Sequence, residues 1–282
     1  MASREQIFDY PPADHVMRDL RITFAPDGEL DRALLPVLPP FLDANGALRV
    51  GVLSIFIDIM GGGAAIRAVD PDWIATGNLA VQVHRPIRTG VVRGETRVLR
   101  AGRRNVVIAF DAHADGDGPA SVATATMTFS RLPRRDLQNF ANREDDPAQG
   151  PRNFPVLGEG LQVPVLERIG FRTLDAKAGV VEVPRSPYVI NTLGSIQGGV
   201  VAMIAEVSCE TIAASQLDRP VRMADVAVDY LELARVGPVR TRARILRRSA
   251  DTALVYTELR DAGDGDRLLT IATATVLTGS AA

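Results

Sequence analysis

The stretch VGVLSIFIDIMGGGAA at residues 50–65 is strongly apolar and contains one acidic residue, Asp58. A stretch of the same character, GGVVAMIAEVSCETIAA at residues 198–214, places Glu206 at the matching position 148 residues further on. Apolar side chains on almost all sides predict a buried helix in each case. The first run is interrupted by Asp58 and three glycines and ends at Ile66, so we expect a core helix rather than a bilayer span of ~20 residues.

Two further pairs of segments repeat at nearly the same spacing. Residues 79–100 match residues 226–247 at an offset of 147, and residues 122–129 match residues 271–278 at an offset of 149. Apolar and polar residues alternate in these segments, as is typical of half-buried strands. Three blocks in one order at one offset indicate an internal duplication, since shared strand patterns alone would not place an acid in both helices.

The segment between the copies breaks both patterns. Residues 132–160 contain RRD, REDDP and several Pro and Gly, which predicts a linker. The expected domains are therefore a first repeat at residues 1–131, this linker, and a second repeat at residues 161–282. Gly-Asp-Gly turns at residues 116–118 and 263–265 are predicted to join the last two strands of each repeat. The expected class is α+β, with one long helix and an antiparallel sheet in each repeat.

Composition excludes several classes of protein. Of 282 residues, 46% are hydrophobic and 23% are charged, which is typical of a chain with a packed core and excludes disordered classes. The 32 basic and 34 acidic residues give a net charge of -2, so we expect no nucleic-acid partner. One cysteine, Cys209, and three scattered histidines predict neither a disulfide nor a metal site. The N-terminus has no apolar signal segment, so we expect a cytoplasmic protein without a membrane partner.

The sequence PYVINTLGSIQGGVVAMIAE at residues 187–206 resembles the acyl-CoA thioesterases of the PaaI-like hotdog family. The family pattern is an Asn, a Gly three residues later, a His-Gly-Gly that opens a helix, and an acid eight residues after the first of those glycines. The matching residues are Asn191, Gly194, Gln197-Gly198-Gly199 and Glu206, with Gln197 where the family usually has His. The resemblance implies a double hotdog whose sheets are continuous across both repeats. It also implies hydrolysis of an acyl-CoA to a free acid and CoA, with no cofactor beyond the CoA of the substrate.

The residue types in this motif suit thioester hydrolysis. Gly198 and Gly199 lie in the first turn of the predicted helix, where N–H groups lack partners and the helix dipole is positive, so a thioester oxygen docked there would be polarised. Asn191 is expected to add a side-chain donor. The alternative is that the glycines only permit tight packing and that Asn191 only closes a turn.

The two helix carboxylates are candidates for a base or a nucleophile, because a buried acid is costly and usually has a task. The alternative for Asp58 and Glu206 is a capped or salt-bridged carboxylate, which is a strong competitor for Glu206 because Glu210 is near. Glycines at residues 61–63 cost ~1 kcal/mol each in a helix interior, so we expect the helix to approach the sheet or the other helix closely there.

The two repeats differ at the site positions. The first has Arg49-Val50-Gly51 in place of the glycine pair, and Asp43 in place of Asn191. It has Thr76 eighteen residues after Asp58, where the family often has Ser or Thr, whereas the second repeat has Ala224. In dimers of the family the acid and the oxyanion loop come from opposite partners. The resemblance therefore implies a composite site of Asp58 and Thr76 with Asn191 and Gly198, and a degenerate reciprocal site with Glu206.

Substrate binding is assigned to Gln197, Gly199 and a set of arginines that could hold the CoA phosphates, with a merely solvated surface as the alternative. These arginines are Arg88, Arg103 and Arg104, with further candidates at Arg85, Arg134, Arg135, Arg247 and Arg248. Candidate wall residues of the acyl pocket are Phe56, Met60, Trp73 and Met203.

Two other functions stay open. A non-catalytic acyl-CoA-binding or regulatory protein is favoured by Gln197 and the altered first-repeat loop. A hydratase would need a paired His and Asp, and no histidine lies near the predicted helix or its loop. The family also implies a homo-oligomer of double hotdogs.

Overall fold

The computed structural model describes residues 10–24, 31–115, 120–133, 156 and 159–278. Two long helices lie at its centre, α2 at Val50–Val69 and α4 at Gly198–Leu217. Both are apolar on nearly all sides and largely buried, so the predicted core helices are confirmed. Two short helices, α1 at Val16–Asp19 and α3 at Val165–Ile169, precede them.

Helix α2 is longer than its apolar run suggested. It continues beyond Ile66 to Val69 and has 20 residues, so the expectation that it is too short for a bilayer was wrong. Both long helices could cross a membrane by length and composition, yet 67% of the most apolar window in each is buried inside the protein. Burial against the sheet thus accounts for their apolar character.

Twelve strands of the described part of the chain form one antiparallel sheet around these helices. The strands of the first repeat are β1 Thr23–Phe24, β2 Arg32–Pro36, β3 Trp73–Val83, β4 Val91–Ala101, β5 Asn105–Ala114 and β6 Ala123–Leu132. Those of the second repeat are β7 Arg172–Asp175, β8 Val180–Val183, β9 Val221–Tyr230, β10 Val239–Arg248, β11 Thr252–Asp261 and β12 Arg267–Thr278.

The order of the strands is β1-β2-β4-β5-β6-β3 in the first repeat and its mirror image, β9-β12-β11-β10-β8-β7, in the second. The repeats join where β3 pairs with β9, in a register that runs from Asn78 opposite Asp229 to Gln82 opposite Asp225. This pairing confirms the expected sheet that continues across both helices. The chain is a double hotdog.

The predicted turn at residues 263–265 lies between β11 and β12, as expected. The turn at residues 116–118 and most of the linker, including Arg134 and Arg135, lie outside the described residues. The domain boundaries stay predictions. One first-repeat segment packs on the second repeat, because the Val16 N–H donates to the Tyr188 carbonyl at 3.0 Å and the Tyr188 hydroxyl donates to Asp19 at 2.8 Å.

Close packing between α2 and α4 depends on glycine. A Cβ at Gly199 would lie 2.6 Å from the main chain of Ser54, so α4 approaches the backbone of α2 there. A Cβ at Gly61 would overlap Met127 on the sheet, which confirms the expected close approach at this position. The expectation was wrong for Gly62 and Gly63, where an added Cβ would meet only side-chain atoms at 3.8 and 3.4 Å. Both residues line a cavity instead.

Candidate active site

The carboxylate of Asp58 lies at the junction of the two repeats. It projects from α2 of the first repeat, and its Oδ1 accepts a hydrogen bond from Thr76 Oγ1 at 2.9 Å. Its Oδ2 accepts one from Gln197 Nε2 at 2.8 Å and one from the Gly199 N–H at 3.3 Å. The acid of one repeat therefore contacts the first turn of the long helix of the other.

Thr76 reaches Asp58 from β3 beside an irregularity in the sheet. The register between β3 and β6 shifts between Thr76 and Asn78, which leaves Gly77 as the extra residue. Such bulges redirect a neighbouring side chain. The family resemblance implies that Thr76 acts together with Asp58, and the structure places the Thr76 hydroxyl against the carboxylate.

Burial raises the pKa of Asp58 from 3.8 to about 6, while the hydrogen bonds from Thr76 and Gly199 act in the opposite direction. Burial dominates because the carboxylate loses most of its hydration inside the fold. A group with a pKa near 6 is ionised at neutral pH and remains basic enough to accept a proton.

Gln197 holds the start of α4 and the acid together. Its Oε1 accepts a hydrogen bond from the Val200 N–H at 3.0 Å, which caps the helix. Because the oxygen is used in this way, the amide Nε2 is the group that donates to Asp58. Sequence analysis assigned Gln197 to substrate binding, which stays a prediction, and the structure places its amide nitrogen against the Asp58 carboxylate.

Gly198 is the residue of α4 nearest to the acid. An added Cβ there would lie 2.9 Å from Asp58 Oδ2 and 3.1 Å from Thr76 Oγ1, so only glycine fits without displacing them. The Gly198 N–H occupies the first position of the helix and has no hydrogen-bond partner among the described residues. An N–H group of this kind at a helix N-terminus can polarise a carbonyl oxygen.

Tyr230 is a site residue that sequence analysis missed. Its hydroxyl donates to the Gly198 carbonyl at 2.8 Å, and its ring lines the cavity. Burial raises the pKa of this phenol above its usual value, so Tyr230 stays a neutral donor. The alternating pattern of β9 indicated the sheet face of Tyr230, but no signal in the sequence showed which helix it would touch.

Asn191 closes the loop that precedes α4. Its Oδ1 accepts hydrogen bonds from the Leu193 N–H at 2.9 Å and the Ser195 N–H at 3.1 Å, so the turn-closing alternative describes this oxygen. Asp43 makes the same turn in the first repeat with the main chain of Asn45 and Ala47. Asn191 also lines the cavity, and its role as a donor to substrate stays a prediction.

The polar groups described above surround a cavity of about 440 Å³. Asp58, Thr76, Asn191, Gln197 and Gly198 all line it. Most of its other walls are apolar. They include Tyr10, Ile59, Ile66, Trp73, Phe129, Val201, Val239, Leu259 and Leu269.

Of the four candidate wall residues, only Trp73 lines this cavity. The expectation was wrong for Phe56, Met60 and Met203, which are at most 1% exposed and pack in the core. Their apolar character did not distinguish a cavity wall from a core position. In an all-round apolar helix only the neighbouring elements decide between the two.

Glu206 does not line the cavity. Its Oε1 and Oε2 accept hydrogen bonds from the Val50 and Gly51 N–H groups at 2.8 and 3.0 Å, which caps α2. Arg49 forms an ion pair with Glu210 at 3.2 Å and lies 3.9 Å from Glu206. The capped, salt-bridged alternative therefore describes Glu206, whose pKa burial raises while Arg49 and the two N–H groups lower it.

The two long helices differ at the position that Gly62 occupies in the first repeat. Glu210 stands at the position that matches Gly62, at the same offset of 148 residues. Burial and the nearby Glu206 raise the pKa of Glu210 above its usual value, while Arg49 acts in the opposite direction. The second helix thus has a partly buried carboxyl group where the first has a glycine that lines the cavity.

The other predicted substrate-binding residues do not line the cavity. Gly199 packs against the backbone of α2. Arg88 donates to the Asn45 carbonyl, on the loop that precedes α2. Arg103 and Arg104 are exposed in the turn between β4 and β5. Binding of CoA phosphates by these arginines stays a prediction.

Among the described residues, no group of three or more His, Cys, Asp or Glu side chains is arranged to hold a metal ion. The arrangement that the cavity does offer is a buried carboxylate beside a helix N-terminus. Such a pair combines a base with a site for a developing negative charge on oxygen.

Family models match both repeats. Residues 45–121 match the model described as the thioesterase superfamily, and residues 189–279 match that of the acyl-CoA thioesterase N-terminal domain. No curated protein sequence matches the chain significantly.

Solved structures of similar fold cover nearly the whole chain. The tesB protein of Mycobacterium avium subs paratuberculosis is 13% identical with a TM-score of 0.60, over 93% of this chain and 97% of that chain. An acyl-ACP thioesterase from Bacteroides thetaiotaomicron is 13% identical with a TM-score of 0.57, over 91% and 98%. A 12:0-ACP thioesterase from Umbellularia californica is 10% identical with a TM-score of 0.59, over 88% and 94%.

Proposed function

We propose that this protein, which belongs to the hotdog thioesterases and carries their domain twice, hydrolyses acyl-CoA to a free acid and CoA. The proposed reaction takes place at one composite site. The observation that carries the proposal is the contact of Asp58 in α2 with Gln197 and Gly199 at the start of α4. It joins a base to a helix N-terminus within one cavity. The finer assignment to the PaaI-like branch rests on the motif at residues 187–206.

The Gly198 N–H is the proposed binding group for the thioester oxygen. It lies at the positive end of α4, next to the acid, and within the described residues it has no partner. As water adds to the thioester carbon, negative charge develops on this oxygen. Removal of one such donor typically costs an enzyme 10²–10³ in kcat, which indicates how much the helix N-terminus can contribute.

Asp58 is the proposed general base. With a pKa of about 6 it is ionised at neutral pH and can take a proton from the attacking water. We favour a base over a nucleophile because both carboxylate oxygens already accept hydrogen bonds, from Thr76, Gln197 and Gly199. Collapse of the tetrahedral intermediate breaks the C–S bond and releases the CoA thiolate, which needs no strong general acid to leave.

The remaining residues act on these two groups. Thr76 and Gln197 orient the carboxylate, and Gln197 also caps the helix that carries Gly198. Tyr230 fixes the Gly198 peptide through its carbonyl oxygen. The proposed reaction uses water and protein groups, and the only cofactor chemistry is that of the CoA within the substrate. We also propose a cytoplasmic location and a homo-oligomeric state.

The test is release of free thiol from a panel of acyl-CoAs of different chain length and aromatic content, with Asp58→Asn as the control. We expect hydrolysis of at least one member by the wild type and none above background by the variant. Binding of an acyl-CoA without turnover of any member would support the second candidate, a non-catalytic acyl-CoA-binding protein. That candidate is favoured by Gln197, which stands where the family usually has His.

A further inference from the structure

The cavity has an open part and a deep part. Leu132 and Leu231, which line it, are 36% and 51% exposed, whereas Val239, Leu259 and Thr270 are at most 1% exposed. A CoA thioester must leave its charged nucleotide in solvent, because burial of unpaired charges is very costly. On the proposed function, the acyl group is therefore the part of the substrate that enters the deep part.

Three neighbouring strands form one wall of this deep part. Tyr230 on β9 lies opposite Thr270 on β12, and Thr270 lies opposite Leu259 on β11. Residues directly opposite one another in antiparallel strands project from the same face, with Cβ atoms about 5 Å apart. The Tyr230 hydroxyl reaches the Gly198 carbonyl, so this face points toward the start of α4. Thr270 is thus one strand away from the residue that contacts the oxyanion loop.

The hydroxyl of Thr270 has no hydrogen-bond partner among the described residues, although its residue is only 1% exposed. Other buried threonines on nearby strands are paired: Thr241 donates to the Gly179 carbonyl at 2.8 Å, and Thr257 shares a hydrogen bond with Ser208 at 2.9 Å. Buried polar groups are almost always satisfied, and an exception requires an explanation. The cavity that Thr270 lines is the place where its partner could bind.

We propose that Thr270 is a specificity-determining residue whose hydroxyl binds an oxygen substituent of the acyl chain close to the thioester. The preferred substrates are then hydroxyacyl or oxoacyl thioesters. One Tyr ring separates Thr270 from Gly198, so the substituent lies within the first few carbons. Beyond this substituent the cavity wall is formed by the apolar side chains of Val201, Val239 and Leu259. The rest of the acyl chain is therefore hydrocarbon.

The experiment compares kcat/KM for 3-hydroxyacyl-, 3-oxoacyl- and saturated acyl-CoAs of equal length in the wild type, Thr270→Val and Thr270→Ser. We expect the wild type to prefer an oxygen-bearing substrate. Thr270→Val, which keeps the shape of the side chain, should reduce that preference roughly fivefold to tenfold, as expected for one hydrogen bond. The saturated substrate should lose less activity, because it has no oxygen for this hydroxyl to bind, and Thr270→Ser should restore the preference.

Thermal unfolding supplies an independent readout. Thr270→Val should leave the midpoint unchanged or raise it, because no protein hydrogen bond is lost among the described residues. The matched control is Thr257→Val on the adjacent strand, which removes a paired hydroxyl outside the cavity. This control should lower the midpoint without changing substrate preference.

Each outcome separates this inference from the function on which it rests. A wild type that hydrolyses saturated and oxygen-bearing acyl-CoAs equally well would overturn the role of Thr270 and leave the thioesterase proposal intact. The same conclusion follows if Thr270→Val slows all substrates to the same extent. No hydrolysis of any thioester by the wild type would overturn both.

Discussion

Asp58 of the first repeat accepts a hydrogen bond from Gln197 of the second at 2.8 Å. The two residues are 139 positions apart in the chain, and the contact forms only because β3 pairs with β9 and brings the two helices together. This contact puts a carboxylate against the N-terminus of a helix that belongs to the other repeat. Glu206, which occupies the position of Asp58 in the second repeat, caps α2 and does not line the cavity.

Asp58→Asn should abolish hydrolysis far more completely than Glu206→Gln. Asparagine can keep the polar contacts, with its oxygen toward Gln197 and its amide toward Thr76, so the variant loses the base and keeps the fold. Glu206→Gln disturbs a helix cap and should cost about 1–2 kcal/mol of stability while the folded protein remains active. Thiol release and urea unfolding of both variants measure these effects. Equal loss of activity in both would contradict the single composite site.

The pH dependence of kcat/KM should follow the ionisation of Asp58. We expect the rate to rise with pH through about 6 and to level off above, because the base must be unprotonated. Thr76→Val removes a donor that favours the carboxylate, so its pKa should rise and the ascending limb should move to higher pH. Identical profiles for the wild type and this variant would exclude the hydrogen bond as an influence on the base.

Asp58 should also make stability depend on pH. Its pKa is higher in the folded protein, about 6, than its ordinary value of 3.8, so ionisation disfavours the folded state. The penalty is absent below pH 4 and complete above pH 6, at about 3 kcal/mol for a shift of about 2 pH units. Relative to the wild type, Asp58→Asn should therefore gain stability as the pH rises from 4 to 8. Urea unfolding at several pH values checks this, and a constant difference would argue against it.

The adjacent glycines Gly198 and Gly199 should respond differently to alanine. In Gly198→Ala the new methyl group meets Asp58 and Thr76, so we expect a loss of about 100-fold or more in kcat with the fold retained. In Gly199→Ala it meets the backbone of α2, which cannot yield easily, so stability should fall by about 1–3 kcal/mol or more. Kinetics and thermal unfolding of the pair separate the two roles. Equal destabilisation would mean that both glycines serve packing alone.

Gly62 should be replaceable by alanine without cost to the fold. A Cβ there meets only Ile74 at 3.8 Å, and alanine is the better helix former by about 1 kcal/mol. The methyl group narrows the cavity, so KM should increase while stability rises. Gly61→Ala is the matched control, since its methyl group overlaps Met127 in the core and should make it the less stable variant. If Gly62→Ala left KM unchanged, substrate would not pass along this face of α2.

The sequence by itself determined the elements of the fold. An all-round apolar run predicted each long helix, alternation predicted the strands at residues 79–83 and 226–230, and the constant offset predicted the duplication. These features can be predicted from sequence because the repeat geometry of a helix or a half-buried strand determines which of its positions are buried and therefore apolar. The composite site of Asp58 and Thr76 with Asn191 and Gly198 came from the family resemblance, and its catalytic role remains a prediction.

Only the tertiary structure decided which candidates share a cavity. Asp58 and Glu206 look alike in sequence, as acids within apolar helices, and so do Gly198 and Gly199. Each of these residues contacts side chains or backbone more than 100 positions away in the chain, and a pattern within one segment cannot predict such contacts. The structure likewise identified three further residues that line the cavity, Gly62, Tyr230 and Thr270. Whether a residue lies in a cavity wall or in the core depends on what packs opposite it and not on its own type.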